Sequence, residues 1–270
     1  MCSSDLFVGG SAHSALAAFP QWEGVKLLCA QAQGMYWFLV MHKDLEARRG
    51  DLEVVKGCNI GAAPWVDMGL RRLLIQAGFD LDRDRVKIAP VPGATGQSVN
   101  FGLTAARALE DRKIDGFWAN GMGAEVAVRR GVGTVVLDVR RGDGPKASFN
   151  YTMASIATSD RLIERSPTAA PAAVRAIAGA HAALKKDVTL ATEIGRKLFP
   201  PAEAELIAEL IRRDLPYYDT TISRDFVAGM NRFARDVGIM QPVLPCAGCA
   251  FGAKASHSFI APHSSASKWP

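Results

Sequence analysis

The chain is poor in the features that mark extreme classes. Cysteine is scarce and odd in number, five in 270 residues, which excludes a disulfide-stapled miniprotein and leaves at least one thiol unpaired in a monomer. Long apolar runs are missing: the longest, around residues 38–41, falls far below the ~20 residues of a membrane helix. The excess of positive charge is mild. The 32 basic and 27 acidic residues give a net charge of +5, spread along the chain with no basic stripe, so no nucleic-acid partner is expected. Collagen-like, coiled-coil and low-complexity patterns are absent as well. What remains is a chain with 49% apolar and 22% charged residues, enough to bury one large core or two smaller ones.

Residues 25–145 alternate short strand-like runs with helical patterns. Runs 25–30, 36–41, 59–63, 86–91, 114–119 and 133–139 read as strands, and 67–77, 101–110 and 124–130 as helices. Strands separated by helices of this length imply a parallel sheet with crossover connections. The fold class is α/β. From Thr168 the pattern turns helical: Val174, Ile177, His181 and Leu184 share one face, Leu206, Ile207, Leu210 and Ile211 another. Ser223 is placed to cap a last helix carrying Phe226, Met230 and Phe233. Residues 241–270 hold six Ala, five Ser and four Pro with only two lysines charged, and read as a disordered or foreign tail.

Among chemistry-bearing groups, Cys2, Cys29 and Cys58 read as buried free thiols. Cys246 and Cys249 form a CxxC pair near His257 and His263, but without the spacing of a zinc module. No metal and no cofactor is expected. The loops rich in Gly93, Gly96, Gly121 and Gly123 do not complete a nucleotide-binding turn. No Ser/His/Asp set or carboxylate pair forms catalytic machinery, and His181, on an apolar helical face, reads as structural.

Three stretches, 7–14 (FVGGSAHS), 56–74 (KGCNIGAAPWVDMGLRRLL) and 113–125 (KIDGFWANGMGAE), are followed by a fourth, 150–167, ending Ser166-Pro167. Their order and spacing resemble the type II periplasmic substrate-binding proteins of ABC importers, in the nitrate/sulfonate/taurine and thiamine-precursor group, over about residues 7–240. The resemblance implies a two-lobed fold of parallel sheets with flanking helices. Residues 1–40 would be the remnant of a truncated first lobe, 41–150 the second lobe, and 151–240 a return crossover and helices completing the first. The family starts with βα units ahead of the glycine turn, so the native start is expected upstream of residues 1–6, which show no secretory signal. The resemblance further implies a small-molecule solute, an ABC permease as partner, a monomer, and a periplasmic or lipid-anchored location.

In open α/β sheets ligands bind beyond the carboxyl ends of strands, which nominates the loops after residues 8, 63 and 118. The candidate contacts are Gly10, Ser11 and His13; Tyr36 and Trp37; Pro64, Trp65 and Asp67; Trp118, Asn120 and Glu125; and Tyr151. Trp37, Trp65 and Trp118 suit either core packing or stacking on a planar ligand. Asn120 and Glu125 suit ligand contact or turn and solvent duty. Asp67 is placed to cap its own helix. Arg140 and Arg141 suit a solvated turn or a carboxylate or sulfonate clamp. A planar organic solute is favoured over a small inorganic anion, because the proposed loops carry no convergent basic residues. Two alternatives on the same architecture are a pyrimidine-precursor synthase-like enzyme, for which His13 is the one candidate group, and an effector-sensing domain.

Overall fold

The computed structural model describes residues 7–94 and 100–240. Its elements run β1 (Val8–Ser11), α1 (Ala12–Ala18), β2 (Val25–Ala32), β3 (Phe38–His42), β4 (Asn59–Ala62), α2 (Asp67–Gln76), β5 (Lys87–Ala89), α3 (Phe101–Glu110), β6 (Gly116–Ala119), α4 (Gly121–Arg129), β7 (Gly133–Asp138), β8 (Ala154–Ser159), α5 (Asp160–Arg165), α6 (Ala169–Lys186), α7 (Thr189–Leu198), α8 (Pro201–Asp214) and α9 (Arg224–Asp236). The α/β class and the helical stretch after Thr168 are as the sequence predicts.

The strands form two helix-flanked sheets, ordered β1-β8-β2 and β5-β4-β6-β3-β7. In the larger sheet β4 is parallel to β5 and β6. Strand β3 runs antiparallel to both β6 and β7 and lies between them. The parallel sheet implied by the alternation of strands and helices is therefore present but interrupted, because the strand arriving from the smaller sheet enters in the opposite direction. The smaller sheet is antiparallel throughout, with β8 at its centre.

Side-chain alternation fixes the layers of the larger sheet. Leu39 and Met41 pack with Trp118, Leu70 and Leu73 on the α2 face. Phe38 and Val40 pack with Phe117, Ala105 and Ala124 on the α3/α4 face. A bulge opposite Leu39 and Val40 lets both Val136 and Leu137 join the α2 face. Helices α3 and α4 meet at two glycines: a Cβ on Gly123 would stand 2.7 Å from the Gly102 carbonyl oxygen, so the helices touch backbone to backbone.

The smaller sheet buries Leu27, Ala30 and Ala157 against Leu16 of α1 and Phe226 and Met230 of α9. Ser223 caps α9, its Oγ accepting from Phe226 N at 3.0 Å. Strand β1 is an edge in which Val8, Gly9 and Gly10 are exposed. The CxxC cysteines, Cys2 and the 241–270 tail lie outside the described residues. Cys29 and Cys58 are buried and free, and burial pushes both thiols up.

Candidate functional site

The carboxyl ends of β4, β6 and β7 and the first residue of β3 share one edge of the larger sheet, and most of the nominated side chains gather there. Pro64, Trp65 and Asp67 line an open pocket of about 280 Å³ with Met68, Arg71, Ile88 and Pro90. Trp65 is 54% exposed and sits at φ +70°, a left-handed conformation that costs a bulky residue roughly 1–3 kcal/mol and is found at ligand sites. Asp67 does not cap α2. It is the first residue of the helix, whose N-cap is Val66. Its carboxylate instead accepts from Arg71 Nε at 2.9 Å, and Arg71 Nη2 donates to the Ile88 carbonyl at 2.6 Å. Arg71 thereby ties the pocket's helical wall to β5.

His13 closes the gap between the sheets. It follows β1 on α1 and is buried. Its Nε2 donates to the Trp65 carbonyl at 3.1 Å, and its Nδ1 lies 3.0 Å from Thr152 Oγ1. A carbonyl can only accept, so the proton sits on Nε2 and Nδ1 accepts the threonine hydroxyl. Burial lowers the His13 pKa, and the bond to Trp65 opposes that shift. The ring meets Trp37 and Phe233 edge-on, each at 5.8 Å.

Of the other nominated aromatics, Trp37, Trp118 and Tyr151 are interior and Tyr36 is half-buried. Trp37 is 4% and Trp118 0% exposed. They meet edge-to-face at 6.2 Å, with Tyr36 5.0 Å from Trp37. Trp118 Nε1 is buried without a hydrogen-bond partner. Tyr151 stacks on Phe233 at 4.6 Å and donates to Gln76. Burial pushes its hydroxyl up to about 12, and that of Tyr36 also to about 12 with Arg140 opposing. Gly10 is exposed with open space where a Cβ would stand, and Ser11 Oγ is 2.7 Å from Ser14 Oγ. Asn120 caps α4, its Oδ1 accepting from Gly123 N at 3.4 Å. Glu125 pairs with Arg129 at 2.6 Å and faces Arg213 at 3.7 Å.

Arg140 is not on a solvated turn: its side chain is 1% exposed. It packs against the Phe38 and Tyr217 rings and pairs with Asp214 at 2.8 Å. Arg213 pairs with the same carboxylate oxygen at 3.1 Å. Arg213 and Asp214 end α8 and Tyr217 lies in the turn that follows it, and nothing in their local sequence marks them. Thr152 is equally unmarked. Among the described residues no cluster of His, Cys, Asp and Glu can hold a metal ion.

Solved structures share this architecture. A periplasmic sulfonate-binding protein of Methylobacillus flagellatus aligns over 87% of this chain and 68% of its own, with a TM-score of 0.60 and 16% identity. The alkanesulfonate-binding protein of Xanthomonas axonopodis pv. citri, bound to MOPS, aligns over 87% and 76%, at 0.62 and 13%. The chain has the fold of the type II periplasmic substrate-binding proteins. The desulfurization enzyme DSZB has this binding-protein fold as well, aligning over 87% and 79% at a TM-score of 0.54 and 12% identity. No family model and no curated protein sequence matches the chain.

Proposed function

We propose that the chain is the solute-binding component of an ABC importer, capturing a small planar organic molecule between its two sheets and delivering it to a membrane permease. The observation that carries this reading is the junction at Trp65. An exposed indole on a strained backbone walls a pocket beyond the carboxyl ends of parallel strands, and its carbonyl is held by His13 from the opposite sheet. A solute on Trp65 thus alters the contact that joins the two halves, which favours one hinge position over another. The segments 36–41 and 150–158 are the two crossovers about which the halves turn. Gly10, Ser11, Tyr36 and Tyr151 supply the facing wall when the halves part, with Trp37 and Trp118 behind them and Asn120 and Glu125 at the α4 end.

No chemical step is part of this reading. The protein acts as a monomer at the outer face of the inner membrane, free in the periplasm or lipid-anchored. The DSZB likeness favours a second reading, an enzyme on this fold, for which His13 is the candidate group; against it, both His13 ring nitrogens are already engaged. A thermal-shift screen of heterocycles, sulfonates and carboxylates tests the proposal, because a ligand of the native state raises apparent stability. A hit lost in Trp65→Ala and recovered chemically unchanged supports the receptor. A hit recovered as product supports the enzyme.

A further inference from the structure

The stretch 213–221 begins at the end of α8, which packs on α4 of the larger sheet, and then runs beside the end of β2 in the smaller one. Its two ends are held by different chemistry. At the smaller sheet every bond goes to a main-chain carbonyl. Ala30 N donates to Thr220 at 3.1 Å and Gln33 N to Tyr217 at 2.8 Å. Gln33 Nε2 adds bonds to Asp219 and Thr221 at 3.0 and 2.8 Å.

At the larger sheet the grip is made by charged side chains just after β7. Arg140 and Arg213 both reach Asp214 Oδ1, at 2.8 and 3.1 Å, and Arg141 stands 4.0 Å from it. Arg141 also pairs with Asp138 and donates to the Arg213 carbonyl at 2.7 Å. Tyr217 Oη donates to the Arg140 carbonyl. Glu125 adds little, since Arg129 holds it at 2.6 Å and Arg213 is 3.7 Å away. The Arg140 side chain is buried, and its contact with Asp214 is an ion pair without hydrogen-bond alignment. Removing one partner of a buried pair leaves an uncompensated charge, which is strongly destabilising. Without the Asp214 charge, three guanidiniums repel one another at the point where α8 meets the sheet.

This cluster rests on one of the two crossovers. Phe38 follows Tyr36 and Trp37 and opens β3. Its ring centroid lies 5.7 Å from Arg140 Cζ and 4.6 Å from Arg213 Cζ, within cation–π range. Turning about residues 36–41 therefore shifts the ring that both guanidiniums contact.

We propose that residues 213–221 are a third tie between the halves: a strap fastened to the smaller sheet by hydrogen bonds to its backbone and to the larger by an ion-pair latch centred on Asp214. The latch end is the one that releases when the halves part. The inference rests on the hinge motion of the receptor reading, but its test uses no solute, so failure of the latch and failure to find a ligand are separate results.

The test is amide hydrogen exchange, read by mass spectrometry on the full chain at pH 7.5, comparing wild type with Asp214→Asn, Asp214→Glu and Tyr217→Phe. Asp214→Asn should speed exchange in α8 about tenfold or more while residues 25–33 change less than about twofold, the pattern of local opening. Asp214→Glu keeps the charge and should restore part of the protection. Tyr217→Phe removes one latch bond, leaves every charge in place, and should speed the same α8 amides by a smaller factor; it decides the matter even if Asp214→Asn does not fold. Small-angle scattering of Asp214→Asn should give a larger radius of gyration, because the halves gain freedom. Unchanged α8 exchange in Tyr217→Phe, acceleration spread equally over α8 and residues 25–33, or a radius equal to that of the wild type overturns the proposal.

Discussion

His13 and Trp65 are joined by one hydrogen bond of 3.1 Å, from the imidazole Nε2 of a helix on the smaller sheet to the main-chain carbonyl of a loop on the larger. The donor is fixed as the Nε2–H tautomer by the acceptor it meets, and Thr152 on the crossover holds the other nitrogen. This one side chain therefore links both sheets and the connection between them.

Removing it should loosen all three. His13→Ala is expected to lower unfolding stability by about 1–3 kcal/mol through unsatisfied Trp65 and Thr152 groups and lost ring packing. Urea denaturation at pH 7.5 measures it, and an effect near zero would mean the contact is not formed in solution.

The same group sets a pH dependence. Burial depresses the His13 pKa below its ordinary value of 6.5, so the unfolded chain binds the proton more readily than the folded one. Its contribution to stability is present above about pH 6.5 and is lost as pH falls toward the lowered value. His181, lowered by burial in its turn, acts in the same direction. Melting temperature should drop between pH 7.5 and 5.5, and His13→Gln should remove part of that drop, not all of it.

Much of this architecture is legible in the sequence, and the reasons are local. Residues 38–41 alternate Phe38 and Val40 with Leu39 and Met41, and that period of two is what the sheet's two faces use. Ser223 precedes an apolar stripe at helical spacing and caps the helix as expected. Asp67 shows the limit of local reasoning: a residue well suited to capping lies one position inside the helix and pairs with Arg71. Trp65's positive φ has no signature, since glycine or asparagine would normally announce it. The Arg140–Asp214–Arg213 cluster is the largest omission. From the sequence Arg140 suits a solvated turn or an anion clamp, and only the folding of α8 across α4 brings the second arginine and the shared carboxylate to it.

Trp65's backbone can be tested apart from its ring. Trp65→Gly and Trp65→Ala both delete the indole, but only glycine accepts φ +70° without cost. The glycine variant should be the more stable by up to about 1 kcal/mol. The reverse order in a chemical denaturation series would show that the left-handed conformation is not retained.

Two glycines in helices should respond in opposite ways. At Gly123 an added methyl meets the Gly102 backbone at 2.7 Å, so Gly123→Ala should cost about 1–3 kcal/mol by forcing α3 and α4 apart. At Gly179, exposed on α6 with nothing within 4 Å, Gly179→Ala should stabilise by about 0.5–1 kcal/mol through helix propensity alone. Calorimetric melting of the pair checks the helix crossing without reference to function.

The claim that the chain is a receptor for a planar solute held at Trp65 is tested most directly by calorimetric titration with the best solute from the thermal-shift screen, run on the wild-type protein and on Trp65→Ala. The account predicts saturable one-to-one binding that weakens several-fold in the variant, as expected for loss of a ring stack worth roughly 0.5–1.5 kcal/mol, with the solute recovered unchanged. Affinity equal in the two proteins, or a solute consumed during the titration, would contradict it.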